Sequence, residues 1–62
     1  MCEAKVIVRK GNEERTVMDG AAAVIEEDGR LVLRSILGDR IEVSGSVERV
    51  DLVSNVIVIR ER

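Results

Sequence analysis

The sequence predicts an all-β fold, a small barrel or sandwich of about six to seven short antiparallel strands. Three observations lead there. Valine and isoleucine, both β-branched and suited to strands, supply most of the apolar residues, and the chain has no Phe, Tyr, Trp or Pro. Apolar and polar residues alternate in short segments punctuated by Gly, Asp and Asn. At 62 residues the chain reads as one domain, residues 1–62, too small for an extensive core.

The first strand runs from about Cys2 to Arg9. By the two-residue period, Cys2, Ala4, Val6 and Val8 share one face, and Glu3, Lys5, Ile7 and Arg9 share the other. Lys10-Gly11-Asn12-Glu13 is a turn, Glu14 to Met18 returns, and Asp19-Gly20 breaks the second strand. Three consecutive alanines give Ala21 to Glu27 some helical propensity. Val24 and Ile25 lead directly into Asp28-Gly29, a two-residue hairpin signal, so we read this segment as a strand.

Arg30 to Leu37 follows. Gly38-Asp39 then reads as a type II′ turn, with glycine at its first central position. Arg40 to Ser44 places Ile41 and Val43 on one face, and Gly45-Ser46 bends the chain before Val47 to Leu52. Ser54-Asn55 is a further turn, because Asn tolerates the left-handed conformation. The last strand, Val56 to Arg60, is apolar on both faces and therefore needs a second cover. Ile7, with Ile57 or Ile59, would form an outward apolar patch, the kind of surface that marks an interface. A small core gains stability by association. We therefore expect a homodimer.

Composition narrows the function. The net charge is −2 and the pI about 5.0, without the basic footprint of a nucleic-acid binder. The missing aromatics remove base stacking as a means of gripping single strands. No apolar run approaches the roughly 20 residues that span a bilayer, and the first residues lack the basic start and apolar stretch expected of a signal peptide. The expectation is a cytoplasmic protein, a compartment that also suits a free thiol. Without histidine there is no usual general base and no His-based triad, so an enzyme is not expected. Glu13-Glu14 and Glu26-Glu27 read as solvated charges near turns, and Arg34, Arg40 and Arg49 as surface charges.

Cys2 is the one cysteine in the chain. It packs as a small apolar residue if it belongs to the strand face. Near an amino terminus, however, a thiolate has the terminal amine and the first backbone amides beside it. Thiolate sulfur with such nitrogens suits square-planar Ni(II) or Cu(II). If Met1 is retained, its amine, the Cys2 amide and the Cys2 thiolate are the donors; if Met1 is removed, Cys2 supplies both amine and thiolate. One protomer offers few strong ligands. A two-fold dimer doubles them and would form an S2N2 plane on the axis.

The chain resembles the CooT family of small nickel-binding proteins linked to carbon monoxide dehydrogenase maturation. The resemblance rests on the opening MCEAKV, with Cys2 directly after the initiator, and on the ending RVDLVSNVIVI, where Arg49-Val50-Asp51-Leu52 precedes a turn and an apolar strand. It implies an SH3-like or Sm-like β-barrel that forms homodimers. It also implies a Ni(II) site made by Cys2 with nitrogen from Met1 or Cys2, and Glu3 could add an amide nitrogen. Carbon monoxide dehydrogenase is the client so implied. Family members have also been labelled RNA-binding on fold analogy, a weak warrant that this acidic, aromatic-free chain does not support. Three readings therefore stand: a nickel metallochaperone or store, an Sm-like RNA- or protein-binding module with a structural Cys2, and a redox thiol that bridges two chains.

Overall fold

The computed structural model describes residues 3–62. Five strands close into a barrel: β1 (Ala4–Lys10), β2 (Glu13–Glu27), β3 (Arg30–Ser35), β4 (Arg40–Asp51) and β5 (Val56–Glu61), hydrogen-bonded in that order. Consecutive strands are antiparallel. β1 and β5 run parallel and close the ring, with Lys5 beside Val56 and Arg9 beside Arg60. No helix among the described residues is long and apolar enough to cross a membrane.

The strand count is five because the expected break at Asp19-Gly20 and the expected bend at Gly45-Ser46 both lie inside continuous strands. β2 runs through Asp19-Gly20. Ala4 pairs with Ala21 and Lys5 with Asp19, so Gly20 bulges out of the β1 ladder. On its other edge Ala21 pairs with Ser35 and Ala23 with Arg34, so Ala22 bulges out of the β3 ladder. Two adjacent bulges turn the strand, and β2 passes from β1 to β3. Gly20 takes φ +88°, a backbone conformation L side chains rarely adopt. β4 also changes neighbours, at Gly45 and without a bulge there: Arg40 to Ser44 pair with β3, and Gly45 to Asp51 with β5. A Cβ on Gly45 would lie 2.1 Å from the Arg60 carbonyl oxygen. Only glycine admits that approach.

The Ala21–Glu27 segment is strand, as read. Asp28 at φ +51° and Gly29 at φ +78° make the expected hairpin, with both central residues left-handed as a type I′ turn requires. Asn55, at φ +56°, likewise turns the chain into β5. The connection after β3 differs from the expected two-residue type II′ turn. β3 ends at Ser35, and a three-residue loop follows: Gly38 N–H donates to the Ser35 carbonyl and Ser35 N–H to the Asp39 carbonyl. Gly38 sits at φ +97°, serving as the left-handed residue of a three-residue hairpin loop instead of opening a two-residue one.

The core is aliphatic. Val6, Val8, Met18, Ala21, Leu31, Leu33, Val43 and Ile59 are buried together, with Ala4, Val17, Val24, Ile41 and Ile57 against them. The last strand is apolar on both faces, as expected, but the faces are reversed from the anticipated patch. Parallel register sets Ile57 beside Val6 and Ile59 beside Val8, so both isoleucines point inward. The outward neighbour of Ile7 is Val58, only 7% exposed. Arg9, Glu48 and Arg60 form ion pairs on the same face.

Candidate metal centre

Cys2 and Met1, the two residues named as nickel ligands, lie outside the described residues. The described chain does show what holds the strand that follows them. Ala4 pairs with Ala21, and Lys5 N–H donates to the Asn55 carbonyl at 2.9 Å. Ile36 N–H donates to the Gly20 carbonyl at 3.2 Å. The start of β1 is therefore fixed between the β2 corner on one side and the β4–β5 turn on the other. Glu3 folds against that corner. One of its carboxylate oxygens lies 3.2 Å from where a Gly20 Cβ would stand, so the glycine makes room for it.

Both loops that flank this end are built by side-chain oxygens. Asp51 Oδ1 accepts from the N–H groups of Val53 and Ser54, each at 3.0 Å. Those backbone donors, Ser54 first, hold the Asp51 carboxyl below its ordinary range. Ser35 Oγ accepts from Leu37 N–H at 3.1 Å and Asp39 N–H at 3.0 Å. The tips so fixed are apolar and open to solvent: Leu37 is 86% exposed, Leu52 81% and Val53 97%. The sequence marks turns at Gly38-Asp39 and Ser54-Asn55 but reads Leu37 and Leu52 as strand ends, whereas β3 stops at Ser35 and β4 at Asp51. The side-chain caps follow the Asp-x-x-Ser and Ser-x-x-x-Asp spacings, which carry a recognisable signal. The apolar tips carried no such signal.

The remaining charges do not assemble a second centre. Among the described residues no three His, Cys, Asp or Glu side chains are grouped to hold a metal ion. Glu13, Glu14, Glu26 and Glu27 are all exposed. An open hollow of about 360 Å³ lies by Glu13, Glu14 and Arg15, at the far end of β1 from the chain start. Arg40 pairs with Glu42 at 2.7 Å. Arg9 and Arg60 both reach Glu48, at 2.5 and 3.4 Å. The hydrogen bond from Arg9 lowers the Glu48 carboxyl, and the same contact raises Arg9.

The donors available at the chain start thus remain one thiol and backbone or terminal nitrogen. That set is soft sulfur with nitrogen, and such donors suit a square-planar divalent ion better than a hard, oxygen-bound one. The described side chains add one carboxylate near the entry, that of Glu3.

Comparison with known proteins agrees with the fold and identifies the relatives. A family model described as the CO dehydrogenase accessory protein CooT matches residues 1–60. A crystal structure from Carboxydothermus hydrogenoformans, described as that of a candidate CooT, superposes with a TM-score of 0.89 at 24% identity, covering 98% of each chain. At that identity the superposition speaks for the barrel alone. No curated protein matches the chain.

Proposed function

Because the chain belongs to the CooT family of CO dehydrogenase accessory proteins, we propose that it binds Ni(II) and carries or stores it for maturation of that enzyme. It acts in the cytoplasm as a homodimer and catalyses no reaction of its own. Nickel is cargo, held by the Cys2 thiolate with nitrogen from Met1 or Cys2. The observation that carries this reading is the family match across residues 1–60, which includes the lone thiol at position 2. Two features of the barrel support it. The start of β1 is held on both sides, which gives a terminal site a fixed base. Exposed apolar tips stand on the two loops that flank it, suited to cover by a second protein surface.

The thiol and the terminal amine lose protons on binding, with ordinary values near 8.5 and about 7.7–8.0. Affinity therefore rises with pH across that range. Titration of reduced protein with Ni(II), followed by ultraviolet-visible absorption, tests the reading. The expected result is a thiolate-to-nickel charge-transfer band saturating at about one nickel per dimer, absent in Cys2→Ser. Equal, weak binding by both proteins would overturn it.

A further inference from the structure

The outer face of β3 and β4 carries positive charge that the chain leaves unbalanced. Leu31, Leu33, Ile41 and Val43 turn toward the core, so Arg30, Val32, Arg34, Arg40 and Glu42 turn outward by the two-residue period. On β2, Val24 packs against the core, and Ala23 and Ile25 face outward with them. Register sets these side chains in rows across the three strands. One row reads Ile25, Val32, Glu42, and the next reads Ala23, Arg34, Arg40.

Glu42 is already engaged on both oxygens. Its Oε1 meets Arg30 at 3.1 Å and its Oε2 meets Arg40 at 2.7 Å. Arg34 is exposed and joins no ion pair among the described residues. Asp39, beside Arg40 in the chain, joins none either. Two arginines therefore stand directly opposite each other, with Cβ atoms about 4.5–5.5 Å apart, and like charges so placed destabilise a sheet. Ala23 leaves the other side of Arg34 open, with only a methyl group beside it. A broken local rule that no neighbour compensates is characteristic of functional sites.

The chemistry of the pair sets the ligand class. Each guanidinium offers five N–H donors in a planar fork, and Arg40 gives one nitrogen, Nη1, to Glu42. A tetrahedral dianion has the charge for two arginines and enough oxygens to accept paired N–H groups from both. We propose that Arg34 and Arg40 together hold a phosphate group, free or as a small monoester. Ile25, 41% exposed, lies one row away beside Ala23 and offers an apolar rest for an ester's substituent. The site takes a small anion. A polyanion running along the sheet would meet Glu42 in the next row and Glu27, opposite Arg30, in the row beyond.

The probes are inorganic phosphate and phenyl phosphate, titrated into the full chain above the second phosphate pKa of about 6, against chloride at equal ionic strength. Amide and arginine Nε–H chemical shifts give the readout. The expected result is saturable change centred on Arg34 and Arg40, with Arg49 unmoved. Arg34→Gln should weaken both probes about tenfold, and Arg49→Gln should leave them unchanged. Tighter binding of phenyl phosphate assigns the site to an ester and equal binding to the free ion; both support it. Arg34→Glu supplies a second readout, because it replaces repulsion across the row with attraction. Without ligand it should melt above Arg34→Gln, and it should bind neither probe. Shifts spread alike over all arginines would mean charge screening alone and overturn the proposal. So would unchanged binding in Arg34→Gln, or an Arg34→Glu protein that melts below Arg34→Gln.

Discussion

Single atoms decide whether this barrel closes. Gly45 is the sharpest case, because a methyl group there would meet the Arg60 carbonyl oxygen at 2.1 Å and the Glu61 Cα at 3.1 Å. Both are backbone, so the β4–β5 ladder itself must part. Gly45→Ala should destabilise by about 3 kcal/mol or more, a large fraction of a small domain's stability. A lowered urea midpoint measures it; an unchanged midpoint would show that the corner flexes. Asp51 gives the pH counterpart. Its carboxylate accepts from Ser54 and Val53, which depresses its folded pKa. A group depressed on folding adds stability above its unfolded pKa and loses it as pH falls through the folded one. Melting temperature should therefore decline below about pH 4. In Asp51→Asn that decline should be shallower, since the amide oxygen still accepts but no longer titrates. A decline identical in the two proteins would remove Asp51 from the account. Glu48, lowered by Arg9, pulls in the same direction.

At the scale of elements, alternation proved the reliable signal and glycine the ambiguous one. Val6 and Val8 face inward where the two-residue period puts them, and Asp28-Gly29 turns as its sequence demands. Gly20 reads as a break and Gly45 as a bend between two separate strands, because a glycine between apolar runs looks the same whether the chain stops or bends. Bulges on both edges of β2 separate those outcomes, and a bulge is defined by the partner strand, which the local sequence does not contain. The faces of β5 were illegible for a related reason. Val56 to Ile59 is apolar throughout, so only its parallel register with β1 decides which residues enter the core. The Arg9–Glu48 pair spans 39 residues and has no local signature. The proposed metal site is the opposite case: its candidate ligands, Cys2 and Met1, are read from sequence alone, and the structure describes only the strand after them. The β5 assignment has a direct check. Ile59→Lys, at 0% exposure, buries a charge in the core and should unfold the chain, whereas Val56→Lys, on the outward face and half-buried, should fold with a loss of about 1 kcal/mol. Circular dichroism melts distinguish them. A folded Ile59→Lys would mean that β5 is rotated.

For the whole molecule, the question is how so small a barrel persists. Its core is aliphatic and made of small side chains, with no disulfide available from one cysteine. Chains of this size commonly draw stability from association or from a metal, and the proposed function supplies both through one end of the barrel. Linkage makes that testable without a structure of the assembly. If folding and dimerisation are coupled, each tenfold rise in protein concentration adds about 1.4 kcal/mol to the dimer, and the melting temperature climbs with it. Ni(II) at about a hundredfold excess over its dissociation constant adds about 2.7 kcal/mol more. The two increments respond differently to Cys2→Ser. Nickel stabilisation should vanish, because the thiolate is its ligand. The concentration dependence should survive, because side chains other than Cys2 then hold the protomers together. Loss of both would make the metal the bridge itself, and a melting temperature independent of concentration in the wild type would return the barrel to a monomer whose aliphatic core suffices alone.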